Sequence, residues 1–236
     1  MPSLIDSGKV VGPGPVSLKQ TARDCNLQFP LSLRQFLDTP GCPFSLRIRL
    51  HIKVLTAPTV AVDAMLRAMR EIFSTADMRV EVVSRESLTA LTSTALNDLD
   101  VGACTSPPTA EQTALFMNRN NVDDGDIVIY FVQGTGPKFD GCAIHPPNQD
   151  GAVIDQVAVV WVLAHEVGHV LGLGHIGGEN CGLPAGSTGG PSTTSLMSQC
   201  WLGFIVGTPT VAASEINIMR TNRTNSEAGP VLVAAG

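Results

Sequence analysis

The chain has no run of basic residues and no apolar stretch long enough to cross a bilayer. Fifteen Lys and Arg stand against 21 Asp and Glu, for a net charge of −6 and a pI near 5.3. That balance disfavours a nucleic-acid partner, because neutralising phosphates takes a basic surface. The start, Met1 to Asp6, lacks both a basic n-region and an apolar h-region, so no signal peptide is expected there. Charged residues make up only 15% of the chain against 44% hydrophobic, which is a globular rather than a disordered balance. A length of 236 residues fits one medium domain, in one or two lobes, with a sizeable core. Histidine is also scarce, with five in all.

Three of those five lie in one eleven-residue run, His165-Glu166-Val167-Gly168-His169-Val170-Leu171-Gly172-Leu173-Gly174-His175. Residues four apart on a helix share a face, so His165 and His169 can present two imidazoles to one ion. Gly172 tolerates left-handed backbone angles, so the helix can end there and the chain can bring His175 back to the same point. Three imidazoles with an open fourth position make a catalytic zinc site. Glu166 is rotated away from the metal-facing pair, where a general base can reach water without ligating zinc. A buried helix with incidental histidines, or a closed structural zinc site, would have no use for that carboxylate.

These residues resemble the metzincin metallopeptidases, whose pattern is H-E-x-x-H-x-x-G-x-x-H followed by a Met-turn. A matching Met-turn is Ser195-Leu196-Met197-Ser198, with Met197 placed 22 residues after His175. The resemblance is specific from His165 to Met197. It implies a zinc-dependent endopeptidase with one catalytic Zn²⁺ on His165, His169 and His175, Glu166 as general base, and Met197 as an apolar floor. The implied fold is α+β. It has a twisted, mostly parallel sheet with an antiparallel edge strand, an active-site helix, and a small irregular C-terminal lobe holding the Met-turn and a final helix. The expected organisation is an N-terminal extension over 1–45 and a catalytic domain over 46–236, with an upper lobe to about 172 and a lower lobe from about 173. Ile176 follows the third histidine where many metzincins carry an acid, and the only tyrosine, Tyr130, lies far upstream, so no subfamily is assigned. Cys181 and Cys200 lack the CxxC spacing of a second zinc site. Latency through Arg23-Asp24-Cys25 is disfavoured, because the usual flanking pattern is missing.

The substrate is expected to be a peptide or protein bound by a monomer. Gly141-Cys142-Ala143-Ile144-His145, followed by two prolines, suits the edge strand that pairs with an extended substrate. Cys142, Ala143, Ile144 and His145 are therefore candidate substrate-binding residues, with a surface position the alternative for His145. Gln199 and Trp201, just past the Met-turn, are candidates for a pocket wall. Two rival functions stay open: a delivered toxin-type protease with one dedicated target, and a zinc-dependent module that binds protein without cleaving it.

Six cysteines suggest an oxidising compartment, hence a secreted or extracellular protein, with six reduced thiols in a cytosolic enzyme as the alternative. Cys181–Cys200, Cys25–Cys42 and Cys104–Cys142 are the pairing of choice among the fifteen connectivities that six cysteines allow. The acidic cluster Asp123-Asp124-Gly125-Asp126 offers hard oxygens that suit Ca²⁺, but it lacks the twelve-residue EF-hand pattern and reads as an acidic turn.

Periodicity places the remaining elements. Leu46–Leu55 alternates as a strand, with His51 on its polar, surface side. Thr59 to about Thr75 has helical spacing, with Met65 and Met69 in its apolar stripe. Val80–Val83, Ile127–Val132 and Ala152–Ile154 read as strands, and Glu111–Met117 as a short helix. Asp155 is the expected N-cap of an active-site helix running to about Leu171. Residues 176–194 form a Gly/Ser/Thr-rich loop. A final helix covers Ser214 to about Thr221, capped by Ser214, and a loose tail follows.

Overall fold

The computed structural model describes residues 46–92, 94–200, 202–225 and 232–234. The extension 1–45, the Cys25–Cys42 pair, Arg23-Asp24-Cys25 and Trp201 therefore lie outside the described residues. Strand β1 (Leu46–Val54) leads into helix α1 (Val62–Ser74), strand β2 (Met78–Ser87), a short 3-10 turn and strand β3 (Asp98–Asp100). Helix α2 (Ala110–Phe116) follows, then strands β4 (Ile127–Val132), β5 (Gly134–Gly136), β6 (Gly141–Cys142) and β7 (Gly151–Asp155). Helix α3 (Val162–Val170), a second 3-10 turn, helix α4 (Ala213–Asn225) and strand β8 (Leu232–Ala234) complete the chain.

The main sheet runs β2-β1-β4-β7-β6, with β8 pairing antiparallel to the start of β1. Pairings β1/β2, β1/β4 and β4/β7 are parallel, and β6 is the antiparallel edge. This is the mixed, mostly parallel sheet that the motif implied. Every residue of β4 is buried, as a continuous apolar strand covered on both faces should be. Ile127, Ile129 and Phe131 pack with α1 and α3 in one core, while Val128, Tyr130 and Val132 pack with α2 in a second. The single tyrosine is thus a core residue whose hydroxyl donates to Asn118 O at 3.1 Å.

Five local expectations are corrected. His51 is not a surface residue: it is 1% exposed. Side chains along β1 do alternate, but the face expected to meet solvent is covered at His51 and Lys53. A register slip between Leu50 and His51 sets Ser84 opposite the ring. Nδ1 then meets Ser84 Oγ at 2.7 Å and Nε2 meets Asp126 Oδ2 at 2.8 Å. Asp155 does not cap the active-site helix. It ends β7, and its Oδ1 accepts from Val157 N at 2.9 Å, an Asx turn that imitates a cap seven residues before the helix starts. Ser214 lies inside the first turn of α4, and Glu215 Oε2 accepts from the preceding Ala212 N at 2.6 Å. The tail is not all loose, since β8 returns to β1. The edge strand is two residues long rather than five, because Ile144 O leaves the ladder and accepts from Gln112 Nε2 at 3.2 Å.

Candidate metal centre and cleft

Helix α3 sets His165 and His169 one turn apart on the same face. Its C-terminus is a Schellman motif: Leu173 N donates to Gly168 O at 3.0 Å and Gly172 N to His169 O at 2.8 Å. The motif needs a left-handed residue, and Gly172 supplies it at φ +94°. The reversal carries His175 back, and the three Nε2 atoms converge at 3.0, 3.1 and 3.2 Å from one another.

Hydrogen bonds on the far side of two rings set the chemistry. His165 Nδ1 donates to Leu196 O, and His169 Nδ1 to Leu173 O, each at 2.7 Å. A carbonyl oxygen only accepts, so both Nδ1 atoms carry the proton and both Nε2 atoms keep a lone pair. Burial lowers the pKa of all three imidazoles, and that of His165 is pushed down to about 3, with neighbouring His169 adding to the effect. Neutral imidazoles with lone pairs aimed at one point suit a shared cation. A tetrahedral zinc with Zn–N bonds of about 2.0–2.1 Å puts its nitrogens about 3.3 Å apart, close to the spacing found. Among the described residues this is the one group of His, Cys, Asp and Glu placed to hold a metal. The residues fit the ion. Asp126, the calcium-like candidate, is fully buried and bonded to Arg49 at 2.9 Å and to His51.

Met197 is fully buried under this centre. A Cβ on Gly168 would lie 2.8 Å from Met197 Sδ, so the sulfur rests directly on the α3 backbone between His165 and His169. Ile176 N donates to Met197 O at 2.9 Å, tying the stretch after His175 to the same turn. Glu166 is 6% exposed, and burial, reinforced by Asp140, pushes its carboxyl up to about 8.

A cleft of about 780 Å³ opens over the three histidines and Glu166. Of the expected substrate-binding residues, Ala143, Ile144 and Gln199 line it. Cys142 is buried in a disulfide with Cys104. His145 turns aside: Nδ1 donates to Pro146 O at 3.0 Å and Nε2 lies 3.7 Å from Asp150. The cleft also takes in Lys138, Phe139, Asp140 and the stretch 103–105, which periodicity did not single out. One signal for 103–105 was present, since pairing Cys104 with Cys142 puts that stretch beside the edge strand. On the opposite side Cys181–Cys200 closes the loop after His175. Glu179 organises that loop, accepting from Gln199 N at 2.7 Å and Ser198 Oγ at 3.0 Å.

No family model and no curated protein matches this chain. Among solved structures it is similar to metalloproteinase-II from Bacteroides fragilis, with a TM-score of 0.51 and 13% identity over 78% of this chain. The match covers 55% of that protein, so this chain spans about half its length. It is also similar to archaemetzincin from Methanopyrus kandleri, with a TM-score of 0.49 and 15% identity over 80% of this chain and 99% of that one. The first likeness is one of fold. Among the described residues no helix is long and apolar enough to cross a membrane.

Proposed function

We propose that this chain is a zinc-dependent endopeptidase in which residues 46–236 form the catalytic unit and 1–45 an extension to it. The carrying observation is the convergence of three Nε2 atoms beside a buried carboxylate in an open cleft. His165, His169 and His175 hold the ion. Zinc held there supplies Lewis acidity and positive charge, which lower the pKa of water and of neighbouring acids. Glu166 takes a proton from attacking water onto its carboxylate and returns it to the leaving amine nitrogen. The edge of β6, which pairs with no further strand among the described residues, offers main-chain groups to an extended peptide, and Gln199 and Leu202 wall the opposite side. The two disulfides among the described residues favour an oxidising, extracellular setting over the cytosol. A catalytic role is favoured over a binding module because a module needs no buried carboxylate beside its metal.

The test is digestion of a mixed peptide library read by mass spectrometry, with zinc content measured alongside. The native chain should cut the library. Glu166→Ala should bind one zinc per chain and cut nothing. Equal cleavage by both would remove Glu166 from its role, and zinc binding without cleavage of any peptide or protein by the native chain would overturn the endopeptidase reading.

A further inference from the structure

A Cβ built on Gly141 would stand 2.6 Å from Glu166 Cγ, 2.7 Å from Oε1 and 2.9 Å from Cδ. Real side chains do not approach so closely. Gly141 shows no left-handed φ, so the chain does not need glycine here for backbone freedom. What the residue supplies is space. The Glu166 carboxyl group lies against the bare backbone of β6, in the volume that any other residue's Cβ would fill.

The strand cannot retreat to make that space. Gly141 pairs with Ile154 on β7, and Asp155 N donates to the preceding Asp140 O at 3.0 Å. The next residue, Cys142, is bound to Cys104 and also accepts from Gln112 Nε2 at 3.4 Å. Helix α3 is equally fixed by its place in the core. With both backbones held, a side chain at 141 must be accommodated by the Glu166 side chain, which is the movable partner.

We infer that Gly141 is a positioning residue: its missing side chain is the seat of the Glu166 carboxylate, and it holds that group beside the three histidines. The chemical consequence rests on the endopeptidase reading, whereas the seat itself does not. A displacement of about 1 Å at a reacting group costs about 100-fold in rate. Gly141→Ala should therefore lower kcat by about 100-fold, while KM stays within about threefold and zinc content remains one per chain. Gly177→Ala is the control, because a Cβ there meets nothing within 4 Å.

A stability cycle tests the seat without any turnover. Glu166→Ala removes all three atoms that the new Cβ would meet. Gly141→Ala should lower the melting temperature by about 4 °C or more in the native background, as overpacking does in a chain of this size. In the Glu166→Ala background the same substitution should cost nothing. Should Gly141→Ala fail to fold alone yet fold with Glu166→Ala, the seat is supported. Equal losses in both backgrounds, or failure to fold in both, would overturn it. A native chain that cleaves nothing would sink the endopeptidase reading and leave this cycle fully interpretable.

Discussion

His165 Nδ1 donates to Leu196 O across 2.7 Å, so one of the three converging rings is oriented by the residue just before Met197. The turn and the helix are one unit, because Met197 Sδ also rests on Gly168. Met197→Ala should open a cavity under the centre and cost about 2–5 kcal/mol of stability, whereas Met197→Leu, close in volume, should cost less than about 1.5 kcal/mol. Losing the floor also loosens the ring's partner, and such outer contacts are worth about 10–100-fold in metal affinity. Urea melts of zinc-free protein and competition against a chelator check the two effects separately. Unchanged zinc affinity in Met197→Ala would show that the turn supports the fold and not the ligands.

The buried carboxylate beside β1 gives a second prediction. Asp126 is 0% exposed and bonds both Arg49 and His51. Asp126→Ala takes the Nε2 partner from buried His51, while Arg49 keeps Asp123 at 3.3 Å, and leaving a buried polar group unpaired costs about 1–3 kcal/mol. Lys138→Ala, an exposed change in the same fold, should stay within about 0.5 kcal/mol. Denaturant midpoints compare the two. A small loss at Asp126 would mean that water replaces the carboxylate.

What was legible beforehand follows from how local each determinant is. The three converging histidines sit within eleven residues, and helix geometry plus one Gly172 reversal brings them together without long-range information. β4 was readable because six apolar residues in a row leave few alternatives. His51 was misread because period two tells which side chains share a face, not what covers that face. Asp155 was misread because an Asx turn and a helix cap use the same side-chain bond to a nearby N–H. Lys138, Phe139 and Asp140 carry no period at all. They reach the cleft through Thr135, whose Oγ1 accepts from Phe139 N at 3.0 Å, and through Asp155, which accepts from Thr135 N at 3.1 Å.

Cys104–Cys142 and Cys181–Cys200 should differ in kind more than in size. Loop entropy for sequence separations of 19 and 38 residues corresponds to about 3 and about 4 kcal/mol respectively. Replacing Cys181 and Cys200 together by Ser should cost about 3 kcal/mol and raise KM, because Cys200 and Gln199 line the cleft. Zinc content should not change, since none of the three histidines lies within that loop. Peptide kinetics with parallel metal analysis decide this. An unaltered KM would mean that the Glu179 hydrogen bonds hold the wall without the bridge.

Asp140 supplies a pH dependence. Burial, and then the charge of Asp155, raise its pKa above the ordinary aspartate value. A carboxyl whose folded pKa exceeds its unfolded one binds its proton more tightly when folded. Its favourable contribution is complete below the unfolded pKa and is lost as pH rises through the folded pKa. Above that raised range the native chain therefore carries the full penalty of a partly desolvated charge. Asp140→Asn cannot ionise, so it should melt higher than the native chain at pH 7. The gap should shrink as pH falls through the raised range and close below the ordinary aspartate range. Melting both proteins zinc-free across that interval cancels the histidine titrations common to the two. A gap that stays constant with pH would trace the effect to the amide's hydrogen bonding rather than to the removed charge.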